Sequence, residues 1–327
     1  MNRAIVIPLI LALMPSAVGA QTRDAPSLKL TWENDYLVFK GDGTDRYYTN
    51  GVRVEYFYRR EKRNFAQRLL LQVADDSNLY GWGIAQHMFT PSRIDIAEVQ
   101  LDDRPYAGAL FAIHSLRSMD REKRMILTTA VNLGVTGPLS MADEAQTWVH
   151  RAIGYTKPEG WHNQVPNDII LNYNLEVERE VVNVSGKLIV SGVMDAYVGT
   201  LYDAMGAGFK LQLGRVRSPY DAPPEAGNGR KDHQLYLLMQ PTARVIYYNA
   251  LLQGGIIHHI TSSEEGYTLG KDMIERISAF TEVGLVYERP KLAISLSQKM
   301  RTAPFKGGNA LEYGSVTVAF DLWIPEA

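Results

Sequence analysis

The feature that most constrains the fold is a two-residue alternation of apolar and polar side chains. Between residues 205 and 215, Phe209 and Leu211 fall on one parity, whereas Lys210 and Gln212 fall on the other. Successive side chains of a β-strand point to opposite faces, so such a strand has one apolar and one polar face. The same alternation recurs near residues 52–59, 234–247, 291–299 and 315–322. This repetition predicts an all-β protein, an antiparallel transmembrane β-barrel with its apolar side toward lipid.

The N-terminus has the features of a secretory signal peptide. An apolar run from Ala4 to Met14 follows a short basic start, and small residues lead up to Ala20. The run is shorter than the ~20 residues that a membrane-spanning helix needs. We therefore expect residues 1–20 to be a signal peptide that is cleaved after Ala20. Residues 21–327 are then expected to form one outer-membrane β-barrel domain.

Composition narrows the class of protein further. The chain has no cysteine, so an exported form of it has no disulfide bonds to stabilise the fold. A closed barrel needs none, because closure satisfies the hydrogen bonds of every strand edge. The net charge of −2 argues against a nucleic-acid partner. The mean hydropathy of −0.18 fits a barrel and a soluble protein equally well.

Strand-like segments separated by turn-forming residues run along the whole mature chain. They lie near 27–38, 48–60, 80–89, 105–117, 123–135, 168–182, 186–198, 205–215, 233–248, 250–262, 275–289, 290–301 and 312–323. Single-chain bacterial barrels have even strand numbers, so about 12 strands are expected and one segment is in excess.

Aromatic residues cluster near the predicted strand ends, as the interfacial girdles of a membrane barrel do. They are Tyr47, Tyr48, Tyr80, Trp82, Tyr106, Tyr247, Tyr248, Tyr313 and Trp323. The alternative, in which they form the core of a soluble β-sandwich, stays open at this point.

One segment interrupts the strand pattern with a predicted helix near 142–153. Ser140 and Asp143 resemble a helix N-cap signature, and Gly154 follows the last apolar residue. Gln146 and His150 are four residues apart and therefore share one helical face. A barrel wall does not require such a helix, so the insertion favours a functional interpretation.

His150 is the best acid–base candidate in the sequence, because histidine titrates near neutral pH. Asp35 and Thr49 have the parity of the polar residues in their strands, so their oxygens could converge on one inward-facing spot and suit Ca²⁺. Asn34 has the opposite parity unless the strand ends there. An Asn-Asp pair at a strand end also serves as a turn initiator, which is the alternative. The chain contains neither a Gly-x-Ser-x-Gly nor a His-Glu-x-x-His motif.

These fragments occur together, in order, in one known family. The matching stretches are Glu33-Asn34-Asp35, Asp45-Arg46-Tyr47-Tyr48-Thr49-Asn50-Gly51, Asp103-Arg104-Pro105-Tyr106-Ala107-Gly108, Gly134-Val135-Thr136-Gly137-Pro138, Gln146-Thr147-Trp148-Val149-His150-Arg151-Ala152-Ile153-Gly154 and Gly160-Trp161-His162-Asn163-Gln164. On these residues the chain resembles the outer-membrane lipid A deacylases, the LpxR-like 3′-O-deacylase family.

The resemblance implies a twelve-stranded barrel in the bacterial outer membrane and a Ca²⁺-dependent hydrolase that removes acyl chains from the lipid A of lipopolysaccharide. It implies that His150 is the catalytic histidine and that Gln146, Asn34, Asp35 and Thr49 belong to the same site. Asp35 and Thr49 are the metal ligands that we expect.

Basic residues near these motifs are candidates for holding the lipid A phosphates. They are Arg46, Arg104, Arg151 and Lys157. A monomer is expected. Two alternatives remain open, a non-enzymatic barrel that acts as a channel or structural protein, and an outer-membrane phospholipase.

Overall fold

Alternating side chains produce twelve β-strands in the part of the chain that the structure, a computed structural model, describes: residues 26–38, 47–60, 62–74, 77–221, 233–261 and 266–322. They are β1 Ser27–Asn34, β2 Asn50–Tyr58, β3 Asn78–Phe89, β4 Ala107–Asp120, β5 Met125–Thr136, β6 Asp168–Val184, β7 Leu188–Gly199, β8 Tyr202–Arg215, β9 Gln234–Asn249, β10 Ile277–Arg289, β11 Leu292–Arg301 and β12 Leu311–Asp321. Each strand pairs antiparallel with its neighbours in sequence. The sheet closes where β1 pairs with β12, from Ser27 opposite Asp321 to Asn34 opposite Gly314.

Short helices lie in the connections between strands. They are α1 Phe65–Arg68, α2 Ala142–Ile153, α3 Ala250–Gln253 and α4 Ile256–Thr261. Single 3₁₀ turns occur at Asp35–Leu37, Gly137–Ser140 and Trp161–Asn163. No helix in the described ranges is both long and apolar enough to cross a membrane. The predicted signal peptide, residues 1–20, lies outside the described residues and stays a prediction.

The predicted division between an apolar outer face and a polar inner face is confirmed. In β8, Phe209 and Leu213 are about half exposed, whereas Lys210 and Gln212 are buried in the lumen. Phe and Leu can face outward because the hydrocarbon of a bilayer, and not water, surrounds a transmembrane barrel. The closed topology replaces the β-sandwich alternative.

Ion pairs fill much of the lumen. Lys299 pairs with Glu33 and lies 3.9 Å from Glu282. Arg244 pairs with Asp195 at 2.9 Å. Lys210 and Glu178 form a further buried pair at 2.7 Å. Buried charges are tolerated only when they are paired, so these contacts explain how a narrow barrel accommodates many inward-facing charges.

The prediction of a strand at 250–262 was wrong, because the described residues of this segment form α3 and α4. β9 ends at Asn249, whose side chain accepts a hydrogen bond from the backbone N–H of Leu251 at 3.0 Å and caps α3. Gly254 then ends α3 with a positive φ of 78°. The helix cap at Asn249 and the glycine at 254 therefore determine the local structure more strongly than the apolar run does. Without this segment the predicted strands number twelve, as observed.

The predicted aromatic girdle was right only in part. Trp82 and Tyr247 are 48% and 56% exposed and face outward, as predicted. Five others are buried inside the barrel or beneath its connections: Tyr47, Tyr48, Tyr80, Tyr106 and Tyr313. Tyr48, for example, donates its hydroxyl hydrogen to Glu33 at 2.8 Å. Trp323 lies outside the described residues.

The two ends of the barrel differ in the length of their connections. The two longest connections, residues 137–167 and 250–276, lie at one end, whereas the other end has tight turns at residues 121–124 and 185–187 and connections of intermediate length at residues 59–77 and 216–233. In outer-membrane barrels the longer loops face the cell exterior. Helix α2 therefore lies at the outer rim.

Candidate active site

A tight turn sets the position of α2. Gly137 has a φ of 76°, and the Ser140 hydroxyl donates to the Gly137 carbonyl at 2.6 Å. The predicted N-cap role of Ser140 was wrong, because Met141, with a φ of 54°, is the residue that precedes the helix and no side chain caps it. Gly154 does end the helix, with a φ of 72°, as predicted. These left-handed positions turn the chain back onto the barrel rim.

Helix α2 approaches the barrel closely through a glycine. A Cβ atom on Gly108 of β4 would lie 2.6 Å from the Cβ of Ala142 and 2.0 Å from the Ser140 hydroxyl oxygen. No larger residue fits there without displacing the helix. The close contact buries Gln146 and His150, the two residues predicted to share one helical face.

The ring of His150 is held in one orientation. Its Nδ1 lies 2.5 Å from the backbone carbonyl oxygen of Thr156. A carbonyl oxygen can only accept, so Nδ1 carries the hydrogen and Nε2 of the neutral ring carries the lone pair. Tyr155 packs edge-on against the ring, with centroids 5.1 Å apart. This tautomer is the one that a general base requires when Nε2 faces the substrate.

Gln146 is also fixed, by a tryptophan fifteen residues later. Trp161 donates its indole N–H to Oε1 of Gln146 at 2.7 Å. Nε2 of Gln146 is buried and has no hydrogen-bond partner among the described residues. A buried donor without a partner is costly, so this amide is a candidate donor to a bound molecule.

The end of β1 supplies the residues that face α2. β1 ends at Asn34, which is the condition under which Asn34 can join Asp35 and Thr49 at the site despite its opposite parity. Its Oδ1 accepts a hydrogen bond from the backbone N–H of Tyr36 at 2.8 Å. Its Nδ2 donates to the carbonyl of Thr49 at 2.8 Å. Asp35 follows in the 3₁₀ turn and is 5% exposed. The hydroxyls of Thr49 and Thr90 lie 2.7 Å apart.

One cavity of about 240 Å³ joins the two sides. Its walls include Asn34, Asp35, Tyr36, Thr49, Asn50, Met88, Ala145, Gln146, Val149, His150, Ile153 and Tyr155. All five residues predicted to form a catalytic site therefore line the same space. The arrangement places an imidazole, a carboxamide and a carboxylate around one cavity at the outer rim.

The oxygen atoms at this cavity suit a hard cation of modest affinity. Asp35 is the one carboxylate among the described residues that line it. Oδ1 of Asn50 is buried and has no hydrogen-bond partner in the same ranges. Ca²⁺ accepts carboxylate, amide, hydroxyl and water oxygens together. In the described part of the chain, however, no three His, Asp or Glu side chains are arranged so that they could hold a metal ion, so neutral ligands would have to complete the coordination.

The basic residues predicted to hold lipid A phosphates lie in different places. Arg46 is outside the described residues. Arg104 is buried in a second cavity, inside the barrel, and does not line the cavity of His150. Arg151 is exposed on α2, and Lys157 forms an exposed ion pair with Glu159 at 2.9 Å. Of the described three, only Arg151 and Lys157 are accessible beside the site.

Two site residues, Asn50 and Trp161, were missed as functional residues in the sequence. Asn50 begins β2 directly after Thr49, and Trp161 orients Gln146 from the connection between α2 and β6. Both lie within motifs that carried the resemblance. The positions of Asn50 and Trp161 along the sequence do not predict these contacts, because contacts between distant segments depend on the closure of the barrel.

One solved structure supports this fold. The solved structure of LpxR from Salmonella typhimurium is similar over 90% of this chain and 100% of that chain, with 21% identity and a TM-score of 0.69. The β domain of the Bordetella autotransporter BrkA is similar over 91% of this chain and 99% of its own, with 8% identity and a TM-score of 0.43. No significant match was found among curated proteins.

The family comparison extends over nearly the whole chain. The sequence model of the family described as outer membrane protein LpxR matches residues 5–322. This range includes every strand of the barrel and every described residue of the cavity at α2. The chain therefore belongs to the LpxR family of bacterial outer-membrane proteins.

Proposed function

We propose that this protein is a Ca²⁺-dependent hydrolase that removes ester-linked acyl chains, the 3′-acyloxyacyl group, from the lipid A of lipopolysaccharide. The single observation that carries the proposal is the cavity at α2. There His150, with its lone pair on Nε2, lies with Gln146 and Asp35 around one void at the membrane rim. Membership of the LpxR family supports the same assignment.

In the proposed reaction His150 acts as the general base. Nε2 accepts a proton from a water molecule as the water oxygen attacks the carbonyl carbon of the ester. The protonated imidazole is stabilised by its hydrogen bond to the Thr156 carbonyl. Collapse of the tetrahedral intermediate breaks the bond to the alkoxide, which takes the proton from Nε2. The products are a free fatty acid and a hydroxyl group on the remaining lipid.

Gln146 is positioned to stabilise the negative oxygen of the tetrahedral intermediate. Its Oε1 is occupied by Trp161, so Nε2 is the end of the amide that can donate. Donors that are aligned before the reaction cost no reorganisation in the transition state. No serine nucleophile is needed, which agrees with the absence of a Gly-x-Ser-x-Gly motif from the sequence.

Asp35, Asn50 and Thr49 are the residues that would hold Ca²⁺. The carboxylate supplies charge, and the buried Oδ1 of Asn50 gains the partner that it otherwise lacks. A bound Ca²⁺ would supply a Lewis acid that polarises the ester carbonyl. Asn34 helps to hold this side of the site in place, because it links the end of β1 to the backbone of Thr49.

The surroundings of the cavity suit a substrate with acyl chains. Leu139, Met141, Trp148 and Ile153 on and before α2 are all more than half exposed. Exposed apolar side chains at the rim of a membrane barrel are stable when they contact lipid. A lipid in the outer leaflet could then present its ester to His150 while its chains stay in the membrane.

The lumen favours an enzyme over a channel. Buried pairs such as Arg244 with Asp195 and Lys210 with Glu178 lie inside the barrel. Side chains fill the interior of narrow barrels, so little space remains for an aqueous path. The proposed chemistry lies at the wall and rim and requires no open pore.

The experiment that tests the proposal is mass spectrometry of lipid A from cells that express the chain, with Ca²⁺ or with a chelator. We expect loss of acyl mass only with Ca²⁺ and only with His150 intact. His162→Ala is the matched control, because His162 is an exposed histidine in the neighbouring turn. Full deacylation by a folded His150→Ala variant would refute the proposed base.

A further inference from the structure

A second cavity of about 90 Å³ lies inside the barrel near its outer mouth. Its walls include three arginines, Arg104, Arg244 and Arg301, together with His87. No carboxylate is among its described wall residues, and none of these residues lines the cavity of His150. A cavity whose wall carries several cationic groups and no acid attracts an anion.

Arg104 lies in this cavity without an ionic partner. Its exposure is 3%, and its guanidinium lies 4.3 Å from the centre of the Phe89 ring. It donates only to the backbone carbonyls of Pro105 and Leu251, each at 3.3 Å. The neighbouring carboxylate of Asp103 instead accepts from the backbone N–H groups of Ser92 and of Arg104 itself. Within the described residues, no carboxylate pairs with the Arg104 side chain.

Arg301 is the second such group. Its Nε donates to the hydroxyl of Ser278 at 3.2 Å, but its Nη2 is buried and has no hydrogen-bond partner in the described ranges. The contrast with Arg244 is informative, because Arg244 is held by both carboxylate oxygens of Asp195. Two of the three guanidinium groups therefore line the cavity without a hydrogen bond to a carboxylate of the described residues.

The positive charge of the buried Arg104 is only partly compensated by its surroundings. Burial lowers the pKa of the guanidinium to about 9; the nearby carboxylate of Asp103 partly offsets this effect, and the weaker influence of the Arg301 charge adds to it. A guanidinium does not give up its proton at neutral pH in proteins. The positive charges of Arg104 and Arg301 therefore repel each other, and an anion bound between them would relieve this repulsion.

We propose that this cavity is a binding site for a phosphate-class oxyanion, held by Arg104 and Arg301. The planar guanidinium fork matches the geometry of phosphate oxygens, and a buried setting strengthens each charge-assisted hydrogen bond. Nε2 of His87, which is buried and has no partner among the described residues, can supply a further donor. The cavity exceeds the ~30 Å³ that one water molecule occupies in the liquid, so it has room for more than a single solvent molecule.

This inference does not depend on the proposed hydrolase activity, because the two cavities share no wall residue. The phosphate could come from solution or from the head group of a glycolipid that reaches the barrel mouth. Both sources present the same tetrahedral oxyanion, so the first question is whether inorganic phosphate binds. The second is whether a phosphorylated lipid competes for the same arginines.

Thermal unfolding and calorimetric titration of the whole chain in detergent test the proposal, with inorganic phosphate as the probe and chloride at equal ionic strength as the reference. We expect saturable phosphate binding that raises the unfolding temperature of the wild type. Arg301→Gln should weaken binding about tenfold or more, as should Arg104→Gln. Arg68→Gln is the matched control, because Arg68 is exposed in α1 at the opposite end of the barrel.

The sign of the stability change separates an anion site from a merely structural arginine. Without phosphate, Arg301→Gln should unfold at the same temperature as the wild type or higher, because it removes a repulsive charge. With saturating phosphate, it should unfold at a lower temperature than the wild type. A structural role predicts a lower temperature in both buffers, and that result would overturn the proposal.

Arg301→Lys provides a second variant if the glutamine variants fail to fold, since it keeps the charge and loses the planar fork. We expect Arg301→Lys to bind phosphate measurably but more weakly than the wild type does. An affinity equal to that of the wild type would contradict the proposed contact. Absence of saturable phosphate binding to the wild type would also overturn the site. Competition by phosphorylated but not dephosphorylated lipid A would identify a lipid head group as the source, whereas binding of phosphate without such competition would identify a soluble anion.

Discussion

Trp161 donates its indole N–H to Oε1 of Gln146 at 2.7 Å, and this contact decides which end of the amide is available to a substrate. An indole nitrogen can only donate, so the assignment of Oε1 and Nε2 follows from chemistry. Trp161 is 2% exposed and packs against Tyr106, with ring centroids 4.9 Å apart. The orientation of Gln146 therefore depends on a rigid aromatic contact beneath α2.

Replacement of Gln146 by glutamate tests its proposed role as a donor. Gln146→Glu keeps the size of the side chain but replaces the donor by a charged acceptor. We expect kcat for lipid A hydrolysis to fall by about 10²–10³, as on loss of one oxyanion donor, with little change in KM. Initial rates measured in mixed micelles check this expectation. A variant with wild-type kcat would show that Gln146 does not contact the reacting oxygen.

The double variant with Trp161→Phe tests whether tryptophan acts through the glutamine. Trp161→Phe alone should lower kcat less than Gln146→Glu does, because the amide remains but can rotate. In the Gln146→Glu background it should have almost no further effect on kcat, since residues that act as one unit are not additive. Independent effects of the two changes would contradict the proposed coupling.

The strand pattern of the barrel could be predicted from local sequence. The twelve observed strands begin within three residues of predicted segments, because lipid outside and charged side chains inside impose a strict period of two. The strand prediction failed where a helix cap determined the local structure more strongly than the pattern of apolar residues did. Asn249 and Gly254 turn an apolar run into α3, and their effect appears only when the end of β9 is known.

The sequence predicted the site residues that lie in recognisable motifs, but not the partners that orient them. Parity put Asp35 and Thr49 on the polar side, and helical spacing put Gln146 beside His150. The partners that orient the two α2 residues, Trp161 and the carbonyl of Thr156, were not predicted. A backbone carbonyl has no sequence signature, and a pairing across fifteen residues depends on how the connection folds back.

Asp35→Asn tests the proposed cation site without relying on activity. The change removes the one carboxylate among the described walls of the cavity, so we expect the Kd for Ca²⁺ to rise by about tenfold or more. Thermal unfolding of the purified barrel with increasing Ca²⁺ measures the change. Asp95→Asn is the control, because Asp95 forms an exposed ion pair with Arg93. An unchanged Ca²⁺ response in Asp35→Asn would exclude this carboxylate as a ligand.

Trp148 tests the proposed contact between α2 and the outer leaflet. It is 54% exposed and does not line the cavity of His150. Loss of its buried area in lipid should raise KM for lipid A in vesicles by about tenfold in Trp148→Ala, with kcat nearly unchanged. Phe65→Ala is a suitable control, since Phe65 is 79% exposed at the opposite end of the barrel. Equal KM values for Trp148→Ala and the wild type would argue against the contact.

Lys299→Met tests how strongly the ion pairs of the lumen hold the barrel together. Lys299 pairs with Glu33, and their side chains are 1% and 0% exposed. Removal of the ammonium leaves the buried carboxylates of Glu33 and Glu282 without their cation, so we expect the free energy of unfolding to fall by about 3–5 kcal/mol. Adding Glu33→Gln to this variant should recover part of the loss, because only the carboxylate of Glu282 then remains without its cation. Lys123→Met, which breaks an exposed pair with Asp120, should cost less than about 1 kcal/mol. Urea unfolding in lipid vesicles measures all four proteins, and equal losses in the two single lysine variants would mean that the buried pair contributes no more than a surface contact.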